Sequence, residues 1–414
     1  MKIASAKKRI TPESRFLPCY LCGHAIRTGQ SKGIMDELNT EALVLKDEKT
    51  ILIFVSFDLI GMDRDHNEAL RNKIAAKYNV PFENINIAFV HTHSAPEYTE
   101  HPFFGNEIKA VPGYEEFVES QIMAAIDECF DQNFVDVDAY MKTASADGFY
   151  SNRNGLEKVG DTTVRTVRFV KEDGTTAGGF LNFTCHSTVL GPQNYFVSSD
   201  LAGWLNRGVQ ARWGVAPVTM IGAAGDMSNR QLRQGNDYFE LKRVGDGILS
   251  RLDEAKEEKI SLGPIAVHTV HYAKEWNLDP EKKRQQVEVI EERLKNAKNF
   301  DEKKVYTSAL AGAKASLNHL HGQIDCQSLL YRFGDIFICS IPAELFSCFG
   351  LEIKKEMATV CPIVWGYSNY SVGYLADRAE YGSSFETAAS EIPEGTTEEI
   401  VEGIVSEIHR MRGI

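Results

Sequence analysis

The sequence predicts an α/β fold in which mixed β-sheets are flanked by helices. Short apolar runs rich in β-branched residues recur along the chain, stretches with helical spacing separate several of them, and no internal repeat is evident. With 414 residues, 43% hydrophobic and 25% charged, the chain has the composition of an ordinary globular enzyme. We expect residues 1–414 to form a single catalytic domain.

The predicted strands are short, and several helical stretches lie between them. The strands are expected at ALVL, ILIFVSF, INIAFV, VRTVRFV, GGFLNF, VTMI, IAVHTV, IFICSI and PIVWGY. The helices are expected at DHNEALRNKIAAKY, GYEEFVESQIMAAIDECF, DLAGWLNRGVQARW and EEIVEGIVSEIHRMR. Strands interleaved with helices are typical of sheets that contain parallel strands.

One region has a different composition. From Asp279 to His321 the sequence is rich in Lys, Glu, Gln and Ala, with apolar residues at helical spacing. We therefore expect a helical hairpin insertion over residues 279–321, with a break near Asn299 and Phe300. Its charged residues are interpreted as a solvated face.

Charge and cysteine content exclude several functions and locations. A formal net charge of -13 argues against nucleic acid and anionic membrane surfaces as partners. The start, MKIASAKKRITPESRF, lacks the apolar core of a signal peptide, and no run approaches the roughly 20 apolar residues that span a bilayer. The scattered cysteines, including the loop pair Cys19 and Cys22, are interpreted as reduced thiols. We expect a soluble, cytoplasmic protein.

Polar clusters follow five of the predicted strands. HTHS follows INIAFV, His186 follows GGFLNFTC, GAAGD follows VTMI, Glu344 follows IFICSIPA, and SNYSVGY comes at the end of PIVWGY. Ligand sites in sheets with parallel strands form beyond the carboxyl ends, where loops converge. The five junctions therefore predict one composite site.

Taken singly, the residues of this site have more than one interpretation. His91 and His93, two apart on an extended segment, would project to the same face, where imidazoles bind a metal or make ordinary hydrogen bonds. His186 alone is more typical of a histidine satisfied by its neighbours. Glu344 ends an apolar segment, so its carboxylate needs a metal or an arginine as partner. Tyr374 alone is typical of a packing aromatic.

Two further segments are candidates. Arg153 in YSNRNG is either a turn residue or a clamp for an oxyanion or carboxylate. Gly225, Asp226 and Ser228 in GAAGDMSN predict a tight turn that runs into a helix and supplies a cap or backbone N–H donors.

These motifs, in their order along the chain, resemble those of the neutral ceramidase family, zinc-dependent amidases that hydrolyse N-acyl sphingosine. The matching pieces are ITPE, VHTHSAP, Asn152-Arg153, NFTCHST, SSDLAGW, GAAGDMSN, Pro342-Ala343-Glu344 and NYSVGY. The resemblance extends from about Lys2 to Phe385. Each motif is short, and their shared order carries the resemblance.

The resemblance implies a zinc ion and assigns residues to it. Its ligands would be His91, His186, Glu344 and Tyr374. Catalytic roles would fall to His93, Arg153, Ser228 and Tyr374. His93 would bond substrate or water, Arg153 would contact the carbonyl oxygen, and His93 or Tyr374 would carry protons. Zinc suits such a nitrogen and oxygen ligand set, although manganese and iron also fit it.

The sequence also departs from the family. GDMSNR lacks the proline of the family's GD-x-SPN run, and Phe385 stands near where a further tyrosine is expected. Family members are typically secreted or membrane-associated and carry a C-terminal β-sandwich, which we do not expect here. The substrate class favoured is therefore a small soluble N-acyl compound rather than ceramide.

Other functions stay open at this point. An esterase or lactonase could use the same centre, and a non-catalytic protein could use the cleft to bind a ligand. A serine nucleophile at Ser228 is disfavoured because GAAGDMS is not a G-x-S-x-G motif. The sequence leaves the oligomeric state open, a homo-oligomer included.

Overall fold

Strands and helices alternate along the chain in the computed structural model, which describes residues 1–98, 110–382 and 384–414. The strands are β1 (Lys2–Arg9), β2 (Gly33–Ile34), β3 (Asn39–Lys46), β4 (Ile51–Phe57), β5 (Ile85–Phe89), β6 (Val135–Asp136), β7 (Asp138–Ser145), β8 (Ser151–Asn152), β9 (Thr163–Val170), β10 (Thr176–Phe183), β11 (Phe196–Val197), β12 (Val218–Ile221), β13 (Met227–Ser228), β14 (Glu258–Ile260), β15 (Ile265–Asn277), β16 (His321–Phe333), β17 (Ile336–Ser340), β18 (Glu344–Leu345), β19 (Cys361–Trp365) and β20 (Tyr374–Leu375). The helices are α1 (Arg64–Tyr78), α2 (Tyr114–Asp131), α3 (Asp200–Trp213), α4 (Tyr238–Glu254), α5 (Pro280–Lys295), α6 (Phe300–Ser316), α7 (Ser347–Met357), α8 (Phe385–Ala389) and α9 (Thr396–Arg412).

Three larger sheets contain most of these strands. Sheet A has the order β5-β4-β3-β1-β6, sheet B the order β12-β10-β9-β7-β14, and sheet C the order β15-β16-β17-β19. Each sheet contains one parallel pair, β4 with β5, β10 with β12 and β17 with β19, among antiparallel neighbours. The predicted α/β class with mixed sheets is therefore confirmed.

The three sheets meet in a common aromatic core. The Phe54 ring of sheet A lies 5.9 Å from that of Phe180 in sheet B. It also lies 5.6 Å from Trp365 and 5.0 Å from Tyr331, both in sheet C, in edge-to-face geometry. All four side chains are fully buried. Such aromatic packing fixes the sheets relative to one another, and so fixes where their strands end.

Helices cover the outer faces of the sheets. Helices α1 and α2 pack on sheet A, α3 and α4 on sheet B, and α7 and α9 on sheet C. Local signals in the sequence set their ends: Asp63 caps α1 by accepting a hydrogen bond from the His66 amide at 3.0 Å, and Asn79 ends it in the left-handed conformation.

The predicted helical hairpin is formed by α5 and α6, and its break falls at the predicted position. Asn299 caps α6, its side-chain oxygen accepting a hydrogen bond from the Glu302 amide at 2.9 Å. The hairpin packs through a small apolar cluster of its own, formed by Val287, Ile290, Ala309, Ala313 and Ala388. Because Ala388 belongs to α8, this cluster attaches the hairpin to the segment that follows Tyr374.

No helix within the described part of the chain combines the length and the apolar character needed to cross a membrane.

Candidate metal centre

The candidate site lies beyond the carboxyl ends of the parallel strand pairs, one from each large sheet. His91 follows β5, His186 follows β10, and Glu344 follows β17. Because the shared core holds these strand ends together, residues far apart in sequence come within a few ångströms of one another. The structure thus brings together the polar clusters that the sequence places after strands.

Glu344 lies between the two histidines. Its Oε2 is 3.0 Å from Nε2 of His186 and 3.5 Å from Nε2 of His91. The two imidazole rings are 5.1 Å apart and nearly perpendicular. All three side chains are buried. Two imidazole nitrogens and one carboxylate oxygen therefore face a common point.

Backbone carbonyls fix the protonation of both histidines. Nδ1 of His91 donates to the Ile60 carbonyl at 2.7 Å, and Nδ1 of His186 donates to the Ala224 carbonyl at 2.6 Å. Burial lowers the pKa of His91 to about 4 and that of His186 well below its ordinary value, so both rings are neutral. With the proton on Nδ1, each Nε2 presents a lone pair to the carboxylate.

This arrangement leaves buried polar atoms unsatisfied. Among the described residues, neither Nε2 of His186 nor Oε2 of Glu344 has a hydrogen-bond partner. Two buried acceptors facing each other at 3.0 Å are unfavourable unless a cation lies between or beside them. Nitrogen and oxygen donors with Nδ1–H bonded to a carbonyl are the usual surroundings of zinc. The residues therefore fit the implied metal.

Tyr374 is attached to Glu344 through the backbone. The two residues are opposite each other where β18 pairs in parallel with β20, and the Glu344 amide donates to the Gly373 carbonyl at 3.0 Å. The Tyr374 hydroxyl accepts a hydrogen bond from Nη2 of Arg153 at 3.2 Å. Burial, followed by the negative charge of Glu344, raises the pKa of Tyr374.

Arg153 is buried beside this group and is held at several atoms. Nε donates to Oε1 of Glu386 at 2.7 Å, and Nη2 donates to the Gly225 carbonyl at 2.6 Å. Its guanidinium carbon lies 4.8 Å from the centre of the Phe385 ring. Arg153 is therefore an ordered cation within hydrogen-bond distance of Tyr374.

His93 lies next to the centre but makes different contacts. Its ring is 4.9 Å from that of His91 and 5.1 Å from that of His24. Neither of its ring nitrogens has a hydrogen-bond partner among the described residues. Ligand atoms of His91, His93 and His186 lie within 4.8 Å of one another, so these three form a second, overlapping donor set.

The local backbone around the histidines differs from the prediction in one respect. We expected His91 and His93 on an extended segment, but β5 ends at Phe89 and His91 has a left-handed φ of 56°. The His91 amide bonds to the Leu59 carbonyl, which turns the chain away from the strand direction. The imidazoles approach each other because of this turn rather than by strand alternation.

The turn at Gly225 also differs from the prediction, because no helix follows it. Residues Met227 and Ser228 form β13, which pairs with β8. The Asp226 carboxylate instead accepts hydrogen bonds from the amide of Ser347, at 2.7 Å, and from its hydroxyl, at 2.9 Å, so it caps α7. Ser228 Oγ accepts a hydrogen bond from the Arg230 amide at 3.2 Å.

Several residues that support the site were not predicted individually. Asp200 accepts hydrogen bonds from the amides of Val189 and Leu190 at 3.1 and 3.0 Å, which shapes the loop after His186. Gly23 has a φ of 89°, and a Cβ there would lie 2.4 Å from Cγ of His93. This close approach requires glycine.

The loop cysteines take no part in the donor set. Cys19 and Cys22 are both buried free thiols, and Sγ of Cys22 donates to the Ala95 carbonyl at 3.3 Å. Burial raises the pKa of both. They are buried packing residues of the loop that carries Gly23.

Comparison with known proteins gives a match in structure and none in sequence. No family model matches the chain, and no curated protein does. Among solved structures, a neutral ceramidase from Pseudomonas aeruginosa superposes with a TM-score of 0.77 at 17% identity, covering 100% of this chain and 74% of that one. A structure described as ceramidase complexed with C2 has a TM-score of 0.77 at 15% identity, covering 100% of this chain and 75% of that one. The chain therefore has a neutral ceramidase-like fold.

Proposed function

We propose that the protein is a zinc-dependent hydrolase that cleaves the amide bond of a small N-acyl compound. The observation that carries the proposal is the unsatisfied pair of His186 Nε2 and Glu344 Oε2, 3.0 Å apart, with Nε2 of His91 beside them. Zinc would be held by these three residues and Tyr374. The site residues extend from His91 to Glu386, which supports a single catalytic domain.

A zinc ion at this point would lower the pKa of a bound water and polarise the substrate carbonyl. The protein's own residues would do the rest. Arg153 is held at Nε by Glu386 and at Nη2 by the Gly225 carbonyl. Its guanidinium would place positive charge near the carbonyl oxygen of the substrate, and Nη1 takes no part in those two bonds. A neutral ring nitrogen of His93 would accept a proton from the attacking water and return it to the leaving amine nitrogen.

The fold supports an amide as the scissile bond, since the matched structures are described as ceramidases. The Ser228 hydroxyl, which accepts a hydrogen bond from the Arg230 amide, would contact the substrate rather than attack it.

The test is metal content by elemental mass spectrometry on untagged protein, with wild type beside His186→Ala. We expect about one zinc per chain in the wild type and a loss of zinc in the variant. Matched amides and esters are then offered to the zinc-loaded protein. Absence of metal from the wild type after zinc is offered and the excess removed would contradict the proposal, as would turnover of esters with none of amides.

A further inference from the structure

A cavity of about 650 Å³ lies between the helical hairpin and residues 380–394. This volume is within the range of small-molecule sites. Apolar side chains form much of its wall: Leu278, Val289, Ile290, Val305, Ala309 and Ile392. The cavity is distinct from the metal centre, because none of the proposed zinc ligands lines it.

One layer of side chains separates the cavity from the centre. Phe385 lines the cavity, and its ring lies 6.2 Å from that of Tyr374. The guanidinium carbons of Arg153 and Arg230 lie 4.8 Å and 5.5 Å from the centre of the same ring. Asn154 also lines the cavity and follows Arg153 in sequence. The cavity therefore comes within one side chain, that of Phe385, of Tyr374.

The acidic side chains around the cavity are already engaged. Asp279 accepts hydrogen bonds from the amides at the start of α5. Glu380 pairs with Lys158, and Glu394 lies 3.7 Å from Arg378. Two of the three carboxylates are therefore paired with a cation, and the third is bonded to the amides at the N-terminus of α5.

The two exposed cations at the cavity have no acidic partner among the described residues, and the buried Lys283 donates to the Ser390 carbonyl. Lys282 and Arg293 line the cavity from α5 and are exposed. Neither makes an ion pair within the described part of the chain. On a helix they are about 16 Å apart along the axis, so one cation lies towards each end of the cavity wall. Unpaired positive charge here contrasts with the net charge of -13 of the whole chain.

We propose that this cavity binds the part of the substrate remote from the scissile bond, and that this part is an apolar stem that ends in an anionic group. The stem would pack on the apolar wall, and Lys282 or Arg293 would bind the anion while staying partly hydrated, which keeps the desolvation penalty small. The inference rests on the proposed function and deepens it, since it names the substrate as an anionic amphiphile.

Binding is tested by isothermal titration calorimetry on the full-length protein at low salt, with decanoate and its neutral counterpart decanamide as probes. Decanoate should bind more tightly than decanamide. The cavity double variant, Lys282→Gln with Arg293→Gln, should raise the Kd for decanoate by on the order of tenfold and leave the Kd for decanamide unchanged. Matched controls are Lys295→Gln and Arg284→Gln, cations of the same helix that do not line the cavity. The inference is overturned if the wild type binds the two probes equally tightly. It is also overturned if the control variants lose as much affinity for decanoate as the cavity double variant does.

Turnover separates this inference from the proposed function. Two series of amide substrates are used, one with the apolar stem on the acyl side of the amide and one with the stem on the amine side. Within each series, the stem ends either in a carboxylate or in a neutral carboxamide. We expect one series to favour the carboxylate in kcat/KM, and the cavity double variant to lose that preference while it hydrolyses the carboxamide normally. Hydrolysis with no preference in either series overturns the inference alone. Hydrolysis of no amide, with charge-dependent decanoate binding intact, contradicts the proposed function instead.

Discussion

Arg153 and Glu386 form a buried ion pair beside the candidate metal centre, with Nε and Oε1 2.7 Å apart and side chains 4% and 0% exposed. Glu386 lies on α8, the short helix against which the hairpin packs. The pair therefore connects the centre to the cavity wall. It also fixes the guanidinium at Nε, while Nη2 of the same group donates to the Tyr374 hydroxyl, so the orientation of Arg153 toward Tyr374 depends on Glu386.

Removal of Glu386 is expected to destabilise the protein and disturb the centre. Glu386→Ala leaves the Arg153 charge buried without its acid, which costs about 3–5 kcal/mol in the free energy of unfolding. Urea unfolding measures this cost. The double variant Glu386→Ala with Arg153→Met should recover part of it, because the unpaired charge is gone. If the double variant is no more stable than Glu386→Ala, the unpaired charge of Arg153 is not the cause of the lost stability.

Glu386 illustrates what the sequence could not predict. The two members of the pair are 233 positions apart, and neither helical nor strand periodicity relates them. The sequence singled out Phe385 only as a departure from a family pattern, without indicating its acidic neighbour. Strand positions and the junction residues His91, His186 and Glu344 could be predicted, because they follow apolar runs that the chain must bury.

The metal ligands can be distinguished by two substitutions. His91 and His186 belong to both overlapping donor sets, whereas Glu344 and His93 each belong to one. We expect Glu344→Gln to lose zinc, because the carboxylate lies between the two histidines, and His93→Ala to retain it. Zinc content after dialysis against a weak chelator measures both. Zinc retained in Glu344→Gln and lost in His93→Ala would instead assign the site to the three histidines.

The sequence also could not predict which histidines lack partners. His93 and His186 look alike in sequence, each following a strand. Their difference arises from the fold, since Nδ1 of His186 meets the Ala224 carbonyl whereas neither nitrogen of His93 meets a described partner. The left-handed backbone at His91, whose amide donates to the Leu59 carbonyl, is likewise not indicated by local propensity.

Arg153 and Ser228 are expected to contribute unequally to catalysis. Arg153→Ala should lower kcat by on the order of 10²-fold if the guanidinium stabilises developing charge on the oxygen. Ser228→Ala should lower it by less, since the hydroxyl is bonded to the Arg230 amide and is not in a nucleophile elbow. Steady-state kinetics on the best amide measures both. Covalent labelling of Ser228 by a fluorophosphonate would contradict this ranking.

A second buried ion pair, Asp161 with Lys354, should make stability depend on pH. Nζ lies 2.6 Å from Oδ2, and the side chains are 1% and 9% exposed. Burial raises the pKa of Asp161, but the charge and hydrogen bond of Lys354 together with hydrogen bonds from Thr163 outweigh burial, and the pKa is lowered overall. Because the pKa is lower in the folded state, the stabilisation is complete above the unfolded value of about 4 and is lost as the pH falls through the folded value.

Asp161→Asn is therefore expected to cost about 3–5 kcal/mol in the free energy of unfolding at pH 7, since Lys354 stays buried without its partner. The difference from the wild type should shrink as the pH falls from about 4 through the lowered pKa of the folded-state carboxylate, where the wild-type side chain becomes protonated as well. Urea unfolding from pH 7 to below about pH 4 measures the difference in the free energy of unfolding, with Asp138→Asn as control. Asp138 pairs with Lys259 on the surface, both 58% exposed, where solvent screens the interaction. If the two variants lose equal stability at every pH, the buried pair has no special role.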